Sequence, residues 1–279
     1  IKALEITIEL AVLAGKIATK FLKQPHDLEY EKTFGKYLLM SKKRYIGMLY
    51  EFNPHKGKRK AMGIVLKRRD NADIVKDIYG GVIDILMQSG DIGKAVKFTK
   101  KFLQDTIDGK VDIKKLIISK SLRDWYKVPE SIAHKVLADR MGKRDPGNKP
   151  AVGSRVPYIY IETDEKVKLQ GDRIENPDFI RENNLKPDYG FYITNQIMKP
   201  LQQIYALVLE NIPEFRLKAI RFRKQLKTLK VKYKDDPEKF KKEEDKLRNA
   251  EVKKIIFEDV LRQANNIKKK QKTIESFFC

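Results

Sequence analysis

The chain has 279 residues, of which 60 are Lys or Arg and 38 are Asp or Glu, so its formal net charge is +22. Hydrophobic residues make up 41% and charged residues 35%, which excludes a disordered or collagen-like chain. The single cysteine, Cys279, excludes an internal disulfide framework and a cysteine-based metal site. The charge favours a polyanionic partner, nucleic acid before an acidic membrane surface, with a merely soluble basic protein as the alternative.

The basic residues concentrate in two segments. Residues 41–70 contain ten Lys or Arg against two Asp or Glu, and residues 211–279 contain 21 against 11. No apolar run approaches the roughly 18 residues of a membrane-spanning helix, and no secretory signal opens the chain. We therefore expect an intracellular protein. Because the chain begins at Ile1 without a Met, we also expect a piece of a longer one.

The first seventy residues predict one helix followed by strands. Apolar residues at helical spacing indicate a helix that ends before Pro25. Alternating and aromatic-rich runs then predict strands, and a turn-like Asn-Pro-His-Lys-Gly-Lys segment makes the last two a β-hairpin with a basic tip. The predicted bounds are residues 1–22 for the helix, 28–32 and 37–52 for strands, 53–58 for the turn and 61–66 for the last strand.

The hydrophobic period changes at Asp70, and the rest of the chain is predicted to be mostly helical. Asn71 is a candidate N-cap for the first of these helices. One strand interrupts the helical pattern, and a long basic helical region, broken near residues 235–237, follows Pro213. The predicted helices are residues 72–88, 92–106, 130–141 and 187–209, and the predicted strand is residues 156–162.

The run Lys42-Lys43-Arg44-Tyr45 is a candidate binding motif. On a strand, Lys42 and Arg44 share one face and Lys43 and Tyr45 the other, and two cations about 6.5 Å apart suit successive phosphates of a nucleic acid. An edge strand that lysines protect from aggregation explains the run equally well. Trp125 and Tyr126 can stack on a base, although core packing is the commoner role of such a pair.

Several motifs in a fixed order resemble family B DNA polymerases, most closely the replicative delta-type enzymes of eukaryotes and large DNA viruses. Together they cover roughly residues 6–209. The similar stretches are Leu28-Glu29-Tyr30-Glu31-Lys32, Lys42-Lys43-Arg44-Tyr45, Lys67-Arg68-Arg69-Asp70-Asn71, residues 140–147, residues 153–158 and residues 189–201.

The resemblance implies an α+β fold with three parts. Residues 1–70 would be the C-terminal part of the polymerase palm, residues 71–211 a mostly helical thumb, and residues 212–279 a basic helical tail. It also implies a primer–template DNA partner, held by the palm under the primer terminus and by the thumb along the duplex. The implied DNA-binding residues are Lys42, Lys43, Arg44, Tyr45, Lys67, Arg68, Arg69, Asn71, Lys143, Arg144 and Arg155.

The catalytic residues of the family have no counterpart in this sequence. Nucleotidyl transfer there needs palm aspartates that hold two Mg²⁺ ions, in a Tyr-Gly-Asp-Thr-Asp-Ser motif, and a triphosphate-binding helix. The run Tyr160-Ile161-Glu162-Thr163-Asp164 lacks the glycine and falls after the Lys-Lys-Arg-Tyr motif, so we expect it to be structural. We expect this chain alone to be inactive and to bind no metal, with Mg²⁺ used by the parent enzyme.

Two further details qualify the resemblance. Glu29 and Glu31 match a strand that lies near the metal site in the delta-type enzymes, which makes them weak candidates for an accessory metal; solvated or ion-paired glutamates are the alternative. The cysteine-rich module that follows the thumb in cellular delta enzymes is absent here. We therefore expect a viral or divergent member, acting in the nucleus or a viral replication compartment.

The C-terminus resembles a PIP box, the motif that binds sliding clamps of the PCNA type. Residues three apart in a 3₁₀ turn lie on one side, so three apolar side chains would form a plug and a glutamine would reach a polar pocket. These residues are Ile274, Phe277, Phe278 and Gln271. The sequence as a whole predicts the C-terminal part of a DNA polymerase that grips duplex and tethers to a clamp; the alternative is a free-standing clamp-associated DNA-binding factor without activity.

Overall fold

The computed structural model describes residues 1–67, 70–163, 167 and 169–268. The chain divides into two compact units, Ile1–Lys67 and Arg68–Cys279. Helices and small antiparallel sheets occur together, which confirms the predicted α+β class. Within the described residues, no helix combines the length and the apolar character needed to cross a membrane.

The first unit contains one helix and one antiparallel sheet of strand order β1-β2-β3. The predicted strand at residues 28–32 was wrong: this segment has no regular secondary structure and pairs with no strand. Its first backbone amide, that of Leu28, instead donates to Thr19 Oγ1 of the helix at 2.9 Å. The elements are α1 (Lys2–Thr19), β1 (Thr33–Ser41), β2 (Arg44–Tyr50) and β3 (Lys58–Met62).

A glycine allows the segment of residues 28–32 to lie against α1. A Cβ built on Gly15 would stand 2.7 Å from the Leu28 carbonyl oxygen, which is closer than two such atoms approach. Any larger residue at this position would therefore push the segment away from the helix. The alternating sequence pattern thus lies against a helix and not in the sheet.

The Lys-Lys-Arg-Tyr run does not form a continuous strand, so the predicted sharing of a face by Lys42 and Arg44 was wrong. Lys42 and Lys43 form the two-residue turn between β1 and β2, and Ser41 pairs with Arg44 across it. The last strand also begins earlier than predicted, at Lys58, and ends before Gly63. Gly63 has φ +62°, and a Cβ there would overlap the Lys43 carbonyl oxygen, so only glycine fits.

The core of the first unit is small, and α1 leaves an apolar stripe in solvent. Buried side chains from α1, β2 and the 3₁₀ turn after β3 form this core, among them Ile8, Ile46, Leu49, Ile64 and Val65. The stripe on α1 follows the spacing i, i+4, i+7, i+11, and its members are 47–60% exposed. They are Ile6, Leu10, Leu13 and Ile17, which we call the α1 stripe.

The second unit is mostly helical and holds a small antiparallel sheet of order β4-β5-β6. Its strands are β4 (Ile118–Ser121), β5 (Arg155–Tyr160) and β6 (Ile174–Glu175). Its helices are α2 (Asp73–Gln88), α3 (Ile92–Ile107), α4 (Ala133–Arg144), α5 (Pro177–Glu182), α6 (Tyr189–Phe191), α7 (Met198–Leu207), α8 (Ala219–Lys232), α9 (Pro237–Val252) and α10 (Glu258–Lys268).

Shorter helical segments connect these elements. The predicted single helix at residues 187–209 is divided, because a π-helical segment (Tyr192–Ile197) separates α6 from α7. A second π-helical segment, Lys253–Phe257, joins α9 to α10. The 3₁₀ turns are Val65–Lys67, Ile113–Leu116, Pro129–Ser131, Pro146–Asn148, Gln170–Arg173, Leu209–Asn211 and Pro213–Phe215.

Side-chain caps begin α3 and α9 but not α2. Asp91 accepts a hydrogen bond from the Lys94 amide and begins α3. Asn71 does not cap α2, because the cap position falls one residue later on Ala72, which is buried and makes no side-chain cap bond. The predicted break near residue 236 is confirmed: Asp236 caps α9, and Pro237 occupies its first turn.

The helices after residue 211 pack onto the rest of the second unit. Gln202 of α7 donates to the Asn249 carbonyl oxygen of α9 at 3.0 Å. Arg248 of α9 binds Glu210 at 2.8 Å and lies over the ring of Phe222. Several aromatic and aliphatic side chains of this region are buried, among them Phe215, Phe222, Val252, Ile256 and Phe257.

Candidate nucleic-acid interface

The turn between β1 and β2 presents two lysines to solvent. Lys42 and Lys43 are both exposed, and neither has an ion-pair partner among the described residues. Lys43 has φ +62°, a left-handed conformation that costs a residue other than glycine roughly 1 kcal/mol or more. A strained, unpaired lysine at a hairpin tip adds nothing evident to stability, so this geometry favours a binding role.

Tyr45 begins a largely apolar face of the same sheet. Its ring packs against Phe34 and Tyr37, with centroids 5.9 and 5.4 Å away. In the strand register Tyr45 pairs with Leu39 on one side and Met62 on the other, so these side chains share a face. Tyr37, Leu39 and Met62 remain 44–56% exposed. We call this surface the tyrosine face; it can contact sugar rings and base edges.

Strand β3 adds cations to the tyrosine face. Lys58 and Lys60 pair with Leu49 and Gly47 in the register. They precede Met62 by four and two residues on β3, so the side chains of these three residues lie on one side of the sheet. Both lysines are exposed. Aromatic side chains with lysines beside them provide stacking or sugar contacts together with phosphate contacts, the combination that nucleic-acid surfaces use.

The remaining predicted DNA-binding residues have different surroundings. Arg68, Arg69 and the side chain of Lys67 lie outside the described residues. Asn71 is half-buried just before α2, and Lys143 is exposed near the end of α4. Arg44 is half-buried at the start of β2.

Arg144 is held within the second unit. Its guanidinium binds the buried carboxylate of Glu175 at 2.9 Å and stacks 3.7 Å above the ring of Phe179. Arg140, one turn earlier on α4, reaches the same carboxylate at 3.3 Å. These contacts favour a structural role for Arg144.

Arg155 lines an open cavity in the second unit, of about 490 Å³. Its guanidinium donates to Ser119 Oγ at 3.1 Å and to the Ser119 carbonyl oxygen. The other lining residues carry two further cations, one imidazole and three hydroxyls against one carboxylate, so the cavity is positive. They are Asp70, Ser119, Lys120, Ser121, Arg123, Tyr126, Ile132 and His134. We call it the Arg155 cavity.

The pKa of His134 reflects its burial and the positive charge of this cavity. Burial lowers its pKa, and the nearby charge of Lys120 lowers it further, as does that of Arg123. The ring is therefore neutral at pH 7, and its Nε2 lies 3.0 Å from the Tyr126 hydroxyl. The positive charge comes from the Lys and Arg side chains, an arrangement that suits a phosphate.

Sequence reasoning missed Lys120, Arg123 and His134 as candidates. The signal was the alternation Ser119-Lys120-Ser121 on a strand, followed closely by Arg123. The preferred core role of Trp125 was also wrong, because this side chain is 75% exposed. Trp125 follows Arg123 in the loop after β4, where an exposed indole can stack on a base.

The carboxylates singled out in the sequence do not assemble a metal site in the described part. Glu29 and Glu31 are exposed on the segment between α1 and β1, and Glu31 pairs with Lys32. Among the described residues, no three His, Cys, Asp or Glu side chains come close enough to hold a metal ion. These residues therefore do not fit a two-metal site. Tyr160 of the lookalike motif stacks on Phe191, with ring centroids 3.5 Å apart, while Asp164 lies outside the described residues.

Comparison with known sequences identifies the family. The sequence model of DNA polymerase family B matches residues 2–208. The chain belongs to DNA polymerase family B. The DNA polymerase of Pyramimonas orientalis virus is 48% identical over 278 residues, which are 99% of this chain and 23% of that protein. The DNA polymerase delta catalytic subunit of Caenorhabditis elegans is 37% identical over 72% of this chain and 19% of its own length.

The fold agrees with that assignment. The family B DNA polymerase of Pyrobaculum calidifontis matches with a TM-score of 0.53 and 24% identity, over 68% of this chain and 24% of that one. The chain thus spans less than a quarter of the family B relatives it matches. A viral DNA polymerase and a eukaryotic delta catalytic subunit are among these relatives, in agreement with the predicted resemblance.

Proposed function

We propose that this chain is the C-terminal palm and thumb portion of a DNA-directed DNA polymerase and that it holds the primer–template duplex. In this proposal residues 1–70 are palm, 71–211 thumb and 212–279 a basic extension. The observation that carries it is the tyrosine face with its lysines, on a member of family B. The parent enzyme would act in a nucleus or a viral replication compartment.

In this proposal, different side chains contact different parts of the DNA. Lys42, Lys43, Lys58 and Lys60 would neutralise phosphates, which gives affinity without sequence preference. Tyr45 and its neighbours would contact sugars and base edges of the paired primer. In the second unit the Arg155 cavity would take a backbone phosphate. A polymerase must move along every sequence, so this distribution of non-specific contacts suits its task.

The chemistry of nucleotide addition would come from residues beyond those described. Phosphoryl transfer in a two-metal site needs converging carboxylates, and Mg²⁺ there stabilises the attacking and leaving oxygens. The described residues supply no such group. The described residues would therefore position the DNA, and we propose that this chain alone does not incorporate nucleotides.

The rest of the polymerase is the partner that the α1 stripe would contact. Four aliphatic side chains exposed along one helix face favour packing against another protein surface. Curated relatives extend over at least four times the matched length, so such a surface can belong to the same polymerase. This contact would join the duplex-holding units to the catalytic residues.

Duplex binding by paired variants tests the proposal. Replacing Lys42 and Lys43 by Ala should weaken binding to a primer–template duplex about tenfold near 0.1 M salt, and should lower the slope of log affinity against log salt by about 2. The matched control replaces Lys20 and Lys23, two exposed lysines of the same unit, by Ala. Equal losses in both variants would mean that only bulk charge matters, which contradicts the proposed interface.

We further propose that the C-terminus tethers the polymerase to a PCNA-type clamp through Gln271, Ile274, Phe277 and Phe278. These residues lie outside the described part, and the motif spacing supports the proposal. In calorimetric titration of the full chain with clamp, changing both Phe277 and Phe278 to Ala should abolish binding, since two apolar anchors are lost. Thr273→Ala is the control and should bind normally. Retained binding by the double variant would exclude the motif.

A further inference from the structure

Helix α8 carries an unusual concentration of one charge. Residues 215–234 contain nine Lys or Arg and no Asp or Glu. We infer that α8 is a second DNA-binding surface, which contacts backbone phosphates independently of the tyrosine face. The inference rests on the proposed function, because it takes DNA as the ligand. It goes further because α8 follows residue 208, where the match to the sequence model of the family ends.

The helix buries one apolar face and leaves its cations outside that face. Phe222 is buried, and Leu226 and Leu229 are half-buried on the same face, where α8 packs against α9. With 3.6 residues per turn, two cations fall on the opposite face and two on one flank, roughly 80–100° from Phe222, and all four are exposed. They are Arg223, Lys224, Lys227 and Lys230, which we call the α8 cations.

The α8 cations are only weakly balanced by the protein. The pKa of Glu210 is lowered despite burial, chiefly by Arg248 and in part by the charge of Arg223. None of the α8 cations has an ion-pair partner within the part of the chain that the structure describes. Neighbouring α9 behaves differently: Lys241 contacts Asp245 at 3.3 Å, and Lys246 contacts Glu243 at 2.6 Å. Like charges three and four residues apart on a helix repel one another. A polyanionic ligand would replace this repulsion with attraction.

The spacing of the α8 cations fits a nucleic-acid strand. From Arg223 to Lys230 the helix rises roughly 10 Å, and a duplex carries one phosphate per about 3.4 Å of axis in each strand. The face therefore spans about three phosphates. Ile220 and Val231, which are 81% and 79% exposed, lie among the cations and can contact sugars.

A membrane surface suits this helix less well. Helices that lie in the membrane interface insert a broad apolar face opposite their basic residues. In α8 that face is already packed, because Phe222 is buried and contacts Phe215 with ring centroids 5.2 Å apart. The exposed apolar side chains are isolated among the cations. DNA can therefore bind the exposed face of α8 as it stands, whereas insertion of the apolar face into a membrane would require α8 to separate from α9.

The test compares two matched triple variants of the full chain. Lys224→Ala, Lys227→Ala and Lys230→Ala remove three of the α8 cations, and alanine keeps the helix. The control replaces Lys94, Lys97 and Lys101 by Ala, three exposed lysines on α3 of the same unit. Binding to a 30-base-pair duplex is measured against salt concentration. The α8 triple should lose about thirtyfold in affinity near 0.1 M salt and about 2–3 in salt slope, while the control stays close to wild type.

The outcomes separate this inference from the proposed function. If the Lys42/Lys43 variant binds DNA normally and the α8 triple variant does not, the result contradicts the interface proposed at Lys42 and Lys43 and supports DNA binding by α8. Equal losses in both triples, or normal binding by the α8 triple, would overturn the inference. The inference would also be overturned, in favour of a membrane, if the α8 triple variant lost binding to phosphatidylserine vesicles but kept its binding to duplex DNA. If the triple variant fails to fold, Lys227→Ala alone replaces it, with an expected change of about 1 in the salt slope. Arginine at positions 224, 227 and 230 keeps the charge and should bind DNA like the wild type.

Discussion

Helices α4 and α8 are both rich in basic residues but use their charge in opposite ways. On α4, Lys135 binds Asp139 at 2.6 Å, and Arg140 and Arg144 share the buried carboxylate of Glu175. On α8, the cations of the exposed face have no ion-pair partner among the described residues. The difference teaches that a basic residue stabilises the fold where a carboxylate lies within reach and is available for a ligand where none does.

The strongest test of this comparison removes the carboxylate that α4 uses. Glu175→Gln keeps the shape but removes the buried anion that Arg140 and Arg144 share, so we expect a loss of about 2 kcal/mol in the free energy of unfolding. Both arginines are partly exposed, at 27% and 37%, which limits the effect. Denaturant unfolding measures it. The control is Glu182→Gln, an exposed position of α5, and an equal effect there would show that the buried pair is not special.

A smaller effect is expected at the surface pair of α4. Lys135→Ala removes the contact with Asp139, four residues later on the same helix. Such exposed pairs contribute roughly 0.3–0.5 kcal/mol, and salt screens them. Unfolding at low and high salt should therefore show a small loss that shrinks as salt is added. A loss above about 1 kcal/mol that salt does not change would mean that Lys135 acts through packing.

The smallest effect, and of opposite sign, is expected on α8. Replacing Lys224, Lys227 and Lys230 by Ala relieves like-charge repulsion and raises helix propensity, so the free energy of unfolding should rise by about 0.3 kcal/mol. DNA binding and stability would then change in opposite directions. A clear destabilisation in the same measurement would show that these lysines support the fold, and the contrast between α4 and α8 would be lost.

Several elements could be predicted from sequence because their causes are local. The helices at residues 73–88 and 92–107 were predicted to within one residue at each end, since periodic apolar residues, and at the second helix an aspartate cap, define them. Family membership was predictable for the same reason: its motifs are short runs in a fixed order. The break at Asp236-Pro237 likewise follows from local capping chemistry.

The Lys-Lys-Arg-Tyr run could not be placed correctly from its own residues. Two-residue hairpin turns usually carry Asn-Gly or Asp-Gly, and nothing in Lys42-Lys43 indicates a turn. The turn forms because β1 and β2 pair on either side of it and because Gly63 leaves room for the Lys43 carbonyl oxygen. Distant residues thus determine the backbone of the motif.

The sequence by itself determined the family, the α+β class, the total charge and the helices whose period and caps are local. Only the tertiary structure decided which cations are available. Arg144 and Lys227 look alike in sequence, yet Arg144 meets Glu175, 31 residues away along the chain, and Lys227 has no ion-pair partner among the described residues. The Arg155 cavity likewise joins Lys120, His134 and Arg155 from separate elements. Coulomb interactions act over a few ångströms in space, and the folded chain sets those distances.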